Sequence, residues 1–101
     1  MKSYFTDYTN HMLRVYYSGS DPLTEADKTN KSVVQKYFDD GDFGTFTKED
    51  IDTVLGSIYR PCADFASSID ETAEKMHMKK KTVYSIISKV SRKLARMRGL
   101  T

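Results

Sequence analysis

Residues 79–101 read KKKTVYSIISKVSRKLARMRGLT and carry eight basic side chains with no acidic one. Ammonium and guanidinium groups at this density suit the neutralisation of a polyanion. A nucleic-acid duplex presents about one negative charge per 1.7 Å of its axis. The spacing gives the run two faces. Val83, Ile86, Ile87, Val90, Leu94 and Met97 recur at steps of three and four, the period of one helix face. At about 100° per residue, Lys81, Ser85, Ser88, Arg92 and Arg96 fall on the opposite side. One face can dock on a core while the other stays a basic rail.

The net charge of +2 conceals this division. Residues 1–70 hold 7 basic and 12 acidic side chains, whereas residues 71–101 hold 9 basic and 2 acidic ones. Such an asymmetry points to a nucleic-acid or other anionic partner for the basic end. Other chemistries find little support. Counting Asp39 as the first position of a calcium loop places Gly41 and Phe43 at the third and fifth, where side-chain oxygens are needed, and Asp50 where a bidentate Glu belongs. His11, His77 and Cys62 lack zinc spacing, so no metal is expected. Cys62 has no base marked to activate it, and no glycine-rich phosphate loop is present, so neither an enzyme nor a cofactor is expected. A single cysteine cannot form an intrachain disulfide, and no apolar run reaches the ~18 residues of a membrane span. With no apolar core of a secretory signal in MKSYFTDYTNHML, a cytoplasmic protein without a membrane partner is expected.

The chain that must position this rail has 101 residues, 39% hydrophobic and 30% charged, with five glycines and two prolines. This composition is globular, and the scarcity of turn residues favours helices. The expected fold is all-α, with four to five helices. A first amphipathic helix is expected over 3–17, from Tyr4 or Phe5, Tyr8, Met12 and Val15 or Tyr16. Its surplus of aromatic residues suggests core packing, with a homodimer or RNA polymerase contact as a further use. Residues 18–22, SGSDP, separate it from a second helix, 23–39, whose polar start TEADKTNK reads as loose helix or loop. Val33, Val34, Tyr37 and Phe38 are its expected buried side. Thr47 and Asp50 resemble a capping box before a third helix carrying Ile51, Val54, Leu55, Ile58 and Tyr59, which Pro61 ends. A connector over 62–67 leads to a short fourth helix, 69–76, capped by Ser67 or Ser68. After His77-Met78-Lys79, a fifth runs from about Lys80 to Arg98.

The last two helices fit a helix-turn-helix frame, in which a short helix, a tight turn and a second helix present the latter to the major groove. Ile69, Ala73 and Met76 face inward, Met78 plugs the turn, and Ala73 lets the crossing helix approach opposite Val83. The segment SSIDETAEKMHMKKKTVYSIISKVSRKLARMRGL resembles the DNA-binding fourth region of bacterial sigma factors and the small phage late-gene activators of the ArpU and RinA type. The resemblance rests on an apolar–x–x–x–Ala helix, a turn, and Thr82-Val83-Tyr84 opening a long basic helix. It covers about a third of the chain and departs from the pattern at His77, where glycine is usual. It implies a transcription regulator, phage or mobile-element encoded, that binds double-stranded DNA.

Residues 67–101 would then form the DNA-binding region, and 1–66 a helical scaffold or partner-binding region within the same compact domain. Lys80, Lys81, Thr82, Tyr84, Ser85, Ser88 and Lys89 would open the base-reading helix. Lys79, Arg92, Lys93 and Arg96 would hold phosphates, with backbone N–H groups at Ser67 and Ser68 offered to another. The alternative is a protein-binding helix-turn-helix module, an inhibitor or co-regulator of RNA polymerase or a ribonucleoprotein. RNA binding through the same face is a further rival.

Overall fold

The computed structural model describes residues 4–19, 21–41, 43–60 and 64–100, with side chains from Asp7 onward. These residues form five α-helices and no strand: α1 Tyr4–Ser18, α2 Glu25–Asp40, α3 Lys48–Ile58, α4 Phe65–Lys75 and α5 Lys80–Arg98. Their starts follow local side-chain chemistry. Thr47 Oγ1 accepts the Asp50 N–H at 3.0 Å, the expected cap of α3. Thr24 Oγ1 accepts the Asp27 N–H at 3.1 Å in the same way.

That second cap makes regular helix of the polar TEADKTNK stretch, supported by a Lys28–Glu25 ion pair at 3.1 Å. It also leaves Leu23 outside the helix and 95% exposed. A hydrophobic residue just before an N-cap packs on the fourth helical position, and here that position is Lys28.

The start of α4 differs from expectation. Asp64, not Ser67 or Ser68, is its N-cap, and the Asp64 carboxylate accepts the Ser67 N–H at 3.0 Å. The helix therefore begins four residues early, at Phe65, which packs beside the Tyr59 ring at 6.0 Å between centroids.

α5 packs against each of the other four helices. Its Val83, Ile86, Ile87, Val90 and Leu94 join Met12 and Leu13 of α1, Val34, Tyr37 and Phe38 of α2, Ile51, Val54, Leu55 and Ile58 of α3, and Ile69 and Ala73 of α4 in one core. The division at residue 66 thus does not separate two cores. Ser91 and Ala95 are also buried on α5, beyond the apolar periodicity, while Met97 lies only partly buried.

Polar pins lock this core. Asn30 is buried, and its Oδ1 accepts from Arg98 Nε at 2.8 Å and from the Tyr8 hydroxyl at 3.4 Å. The buried Tyr59 hydroxyl donates to Asn10 at 2.6 Å, and burial pushes its pKa up. Tyr16 donates to Gln35 at 3.1 Å and Tyr17 to Asp52 at 2.7 Å. The Tyr17 ring lies where a side chain on Gly56 would meet it, so the glycine admits the ring against α3. The hydroxyls of Tyr8, Tyr16 and Tyr17 therefore bond within the chain. The side chains of Tyr4 and Phe5, and Pro61 and Cys62, lie outside the described residues.

Candidate nucleic-acid interface

α5 divides as its sequence period requires. Lys79, Lys80, Lys81, Tyr84, Ser85, Ser88, Lys89, Arg92, Lys93 and Arg96 are exposed, and Thr82 is half-buried at the edge. The helix carries no acidic residue. Arg92 donates to the Ser88 hydroxyl at 3.0 Å, which holds both side chains on the outer face. Arg98 is different: its bond to Asn30 commits this basic residue to the fold.

The amino end of α5 is electrostatically unfavourable by itself. Lys79 is its N-cap without a side-chain cap bond, and Lys80 and Lys81 follow at the positive end of the helix dipole. A side chain selected for helix stability would be acidic or hydroxylic there. One local acid compensates: Asp70 of α4 holds Lys80 Nζ at 2.7 Å and raises its pKa through that hydrogen bond and its charge. Lys80 is thereby tied to α4, whereas Lys81 points elsewhere.

The connection between α4 and α5 is short because His77 reverses the chain. Its φ is 55°, in the left-handed region. The Met78 N–H reaches the Ala73 carbonyl at 2.8 Å and the His77 N–H reaches Glu74 at 3.2 Å. This pair of bonds is a Schellman ending, normally built on glycine. Met78 packs against the core beneath the turn. Replacing His77 with Gly relieves the Cβ penalty, partly offset by greater unfolded-state freedom. The expected result is a gain of about 0.5 kcal/mol, a melting-temperature rise of roughly 2–4 °C. Calorimetry of the two proteins checks it.

Two ridges of α5 border different neighbours. Lys80, Tyr84, Ser88, Arg92 and Arg96 form one row at four-residue steps, beginning beside α4. Lys81, Ser85, Lys89 and Lys93 form the other. Lys81, Ser85 and Lys89 line a shallow groove with Phe46 of the α2–α3 loop. Lys93 lines a cleft with Val33, Lys36 and Tyr37 of α2.

No family model, curated protein or solved structure matches the chain.

α4 contrasts with α5. Asp64, Asp70, Glu71 and Glu74 are exposed along or beside it, with Lys75 exposed on the helix; Lys80 pairs with Asp70 at 2.7 Å and Arg60 with Glu71 at 3.8 Å. Ser67 is exposed, but its N–H belongs to Asp64; Ser68 is buried and its N–H bonds the Asp64 carbonyl. The Ser67 bonds hold the Asp64 carboxyl below the usual carboxylate range. The two backbone donors expected to meet a phosphate are thus occupied, with a carboxylate beside them. No group of three metal-ligating side chains occurs among the described residues, and no helix there is long and apolar enough to cross a membrane.

Sequence reasoning missed three contributors. Lys36 stands in the acidic part of the chain, and only the packing of α2 on α5 brings it to Lys93. Asp70 is spaced from Lys80 by a turn whose geometry sets their contact. The Asn30–Arg98 bond joins residues 68 apart. None carries a local pattern that would have identified it.

Proposed function

We propose that α4, the His77 turn and α5 form a helix-turn-helix, and that the chain is a sequence-specific double-stranded DNA-binding transcription regulator, of the kind the sigma-factor fourth region and the ArpU and RinA activators represent. The observation that carries this reading is the outer face of α5: a continuous row of exposed cations and hydroxyls, free of acids, on a helix whose other side is buried. The uncapped triple-lysine start supports it, since a phosphate there offsets a repulsion the fold leaves largely in place. On this reading Lys81, Tyr84, Ser85 and Ser88 contact base edges, and Lys79, Arg92, Lys93 and Arg96 hold the backbone. The reading involves no catalysis and no cofactor. One helix covers few base pairs, so specificity calls for two half-sites about 34 Å apart or a partner such as RNA polymerase.

The acidic face of α4 favours a second reading, a helix-turn-helix that grips an acidic protein surface through α5 alone. In groove-reading modules the first helix crosses the phosphate backbone, and the carboxylates of this helix, of which Asp70 and Glu71 are ion-paired, oppose that. Selection from a pool of random duplexes separates the two. The DNA reading predicts enrichment of a common site. It further predicts that Lys81→Ala with Ser85→Ala blurs that preference, while Arg92→Ala weakens all sequences alike. Absence of an enriched site, with DNA affinity indifferent to all three changes, contradicts it. Preference for RNA hairpins over duplex DNA would instead assign the face to RNA.

A further inference from the structure

The exposed surface of α5 shifts sideways along the helix. Near its start, Tyr84 and Ser88 are open on the side toward α4. One to two turns later that same side carries Ser91 and Ala95, which are 5% and 2% exposed. Lys89, Lys93 and Arg96, on the opposite flank, remain open. The basic surface therefore turns away from α4 and toward the end of α2.

There it meets another cation. Lys36 of α2 and Lys93 of α5 line one cleft of about 400 Å³, floored by Val33, Tyr37 and Met97. Among the described residues, Asp40 is the acid in its lining. A sugar–phosphate segment has the matching chemistry, with an apolar sugar edge for the floor and a phosphate for the two ammonium groups. The α4 flank is already paired within the fold: its cation Lys80 is engaged by Asp70 and Arg60 by Glu71, with Glu74 exposed on the same helix.

We infer that duplex DNA lying along α5 leans off α4 and rests on α2, with Lys36 and Lys93 gripping one strand's phosphate backbone. This rests on the DNA-binding reading and adds α2 to the interface. Lys36 is then a phosphate contact without a base-reading role, and the acids of α4 face away from the duplex.

The test is equilibrium binding of the full chain to a duplex of about 20 base pairs across 50–200 mM salt. Wild type, Lys36→Ala, Lys28→Ala and Glu71→Gln are compared. Lys36→Ala should reduce the magnitude of the log–log salt slope by about 0.9, one phosphate's share, so the wild-type advantage shrinks about eightfold per tenfold rise in salt. Lys28, paired with Glu25 at the other end of α2, serves as the exposed-lysine control and should leave the slope unchanged. Glu71→Gln, which releases Arg60 from its 3.8 Å ion pair, should also leave it unchanged. If wild type binds with a steep slope and Lys36→Ala matches it, the leaning geometry is wrong while the DNA reading stands. If Glu71→Gln steepens the slope instead, the duplex sits on α4. If wild type binds no duplex, both readings fall. Lys36 is exposed, so circular dichroism should show all four proteins equally folded.

Discussion

Replacing Leu94 with Ala should cost about 3 kcal/mol of stability, within the range for emptying a fully buried leucine site. Leu94 is 0% exposed and belongs to a core to which every helix contributes. A domain of this size is stable by only about 5–15 kcal/mol, so the loss is a large fraction of the whole. For about 100 residues it corresponds to a fall in melting temperature of roughly 12–24 °C. The manner of unfolding is equally diagnostic. Because α5 packs on all four other helices, helical circular dichroism and tyrosine fluorescence should report a single shared transition. The tyrosines of α1 and α2, and Tyr59 just after α3, would then unfold with α5 although they lie far from it in sequence. An early loss of residues 67–101, with the tyrosine signal unchanged, would contradict a common core.

Reversing two charges on α5 should act on binding and spare the fold. Lys89 and Arg92 are exposed, and neither makes an ion pair among the described residues; the Arg92 bond is to Ser88. Each phosphate contact contributes about 0.9 log unit of affinity between 1 M and 0.1 M salt. Losing the Arg92 phosphate contact costs about eightfold at 0.1 M, losing the Lys89 base contact costs about 1–3 kcal/mol, and two new carboxylates facing the duplex add repulsion. The Lys89→Glu, Arg92→Glu double variant should therefore bind duplex DNA about a hundredfold or more weaker. Its melting temperature should stay within a few degrees of wild type, because surface substitutions away from buried features change stability by about 0.5 kcal/mol or less. Fluorescence anisotropy with a labelled duplex measures the first quantity and calorimetry the second. Equal loss of stability and binding would mean that the residues act through the fold.

Local pattern and distant contact contributed unequally to what could be read in advance. The stripe Ile51, Val54, Leu55, Ile58 on α3 and the run Val83 to Leu94 on α5 are visible because helix period and burial coincide. The Thr47 cap is visible for a similar reason, since its partner lies three residues on. The Asp64 cap was hidden because Phe65 and Ala66 separate it from a serine pair with the same capping chemistry. The Thr24 cap has no comparable signature, because the residues it caps are polar, although α2 buries Asn30 as well as Val34. Leu13, Ser91 and Ala95 are buried beyond the single apolar stripe, because α1 and α5 each meet more than one neighbour. At the candidate site, the outer face of α5 follows from its sequence alone. Lys36 beside Lys93, and Lys80 held by Asp70, depend on how helices pack and have no local signature.

The proposed role of the outer face of α5 is to hold a nucleic-acid backbone. Its most direct test is the affinity of the wild-type chain for duplex DNA as salt is raised from 50 to 200 mM. The four α5 side chains proposed to hold phosphates, Lys79, Arg92, Lys93 and Arg96, predict a log–log slope of about −3.6, and about −4.5 with Lys36 as a fifth contact, a fall of roughly a hundredfold or more over that range. No binding at 50 mM salt, or binding that stays level across the range, would contradict it.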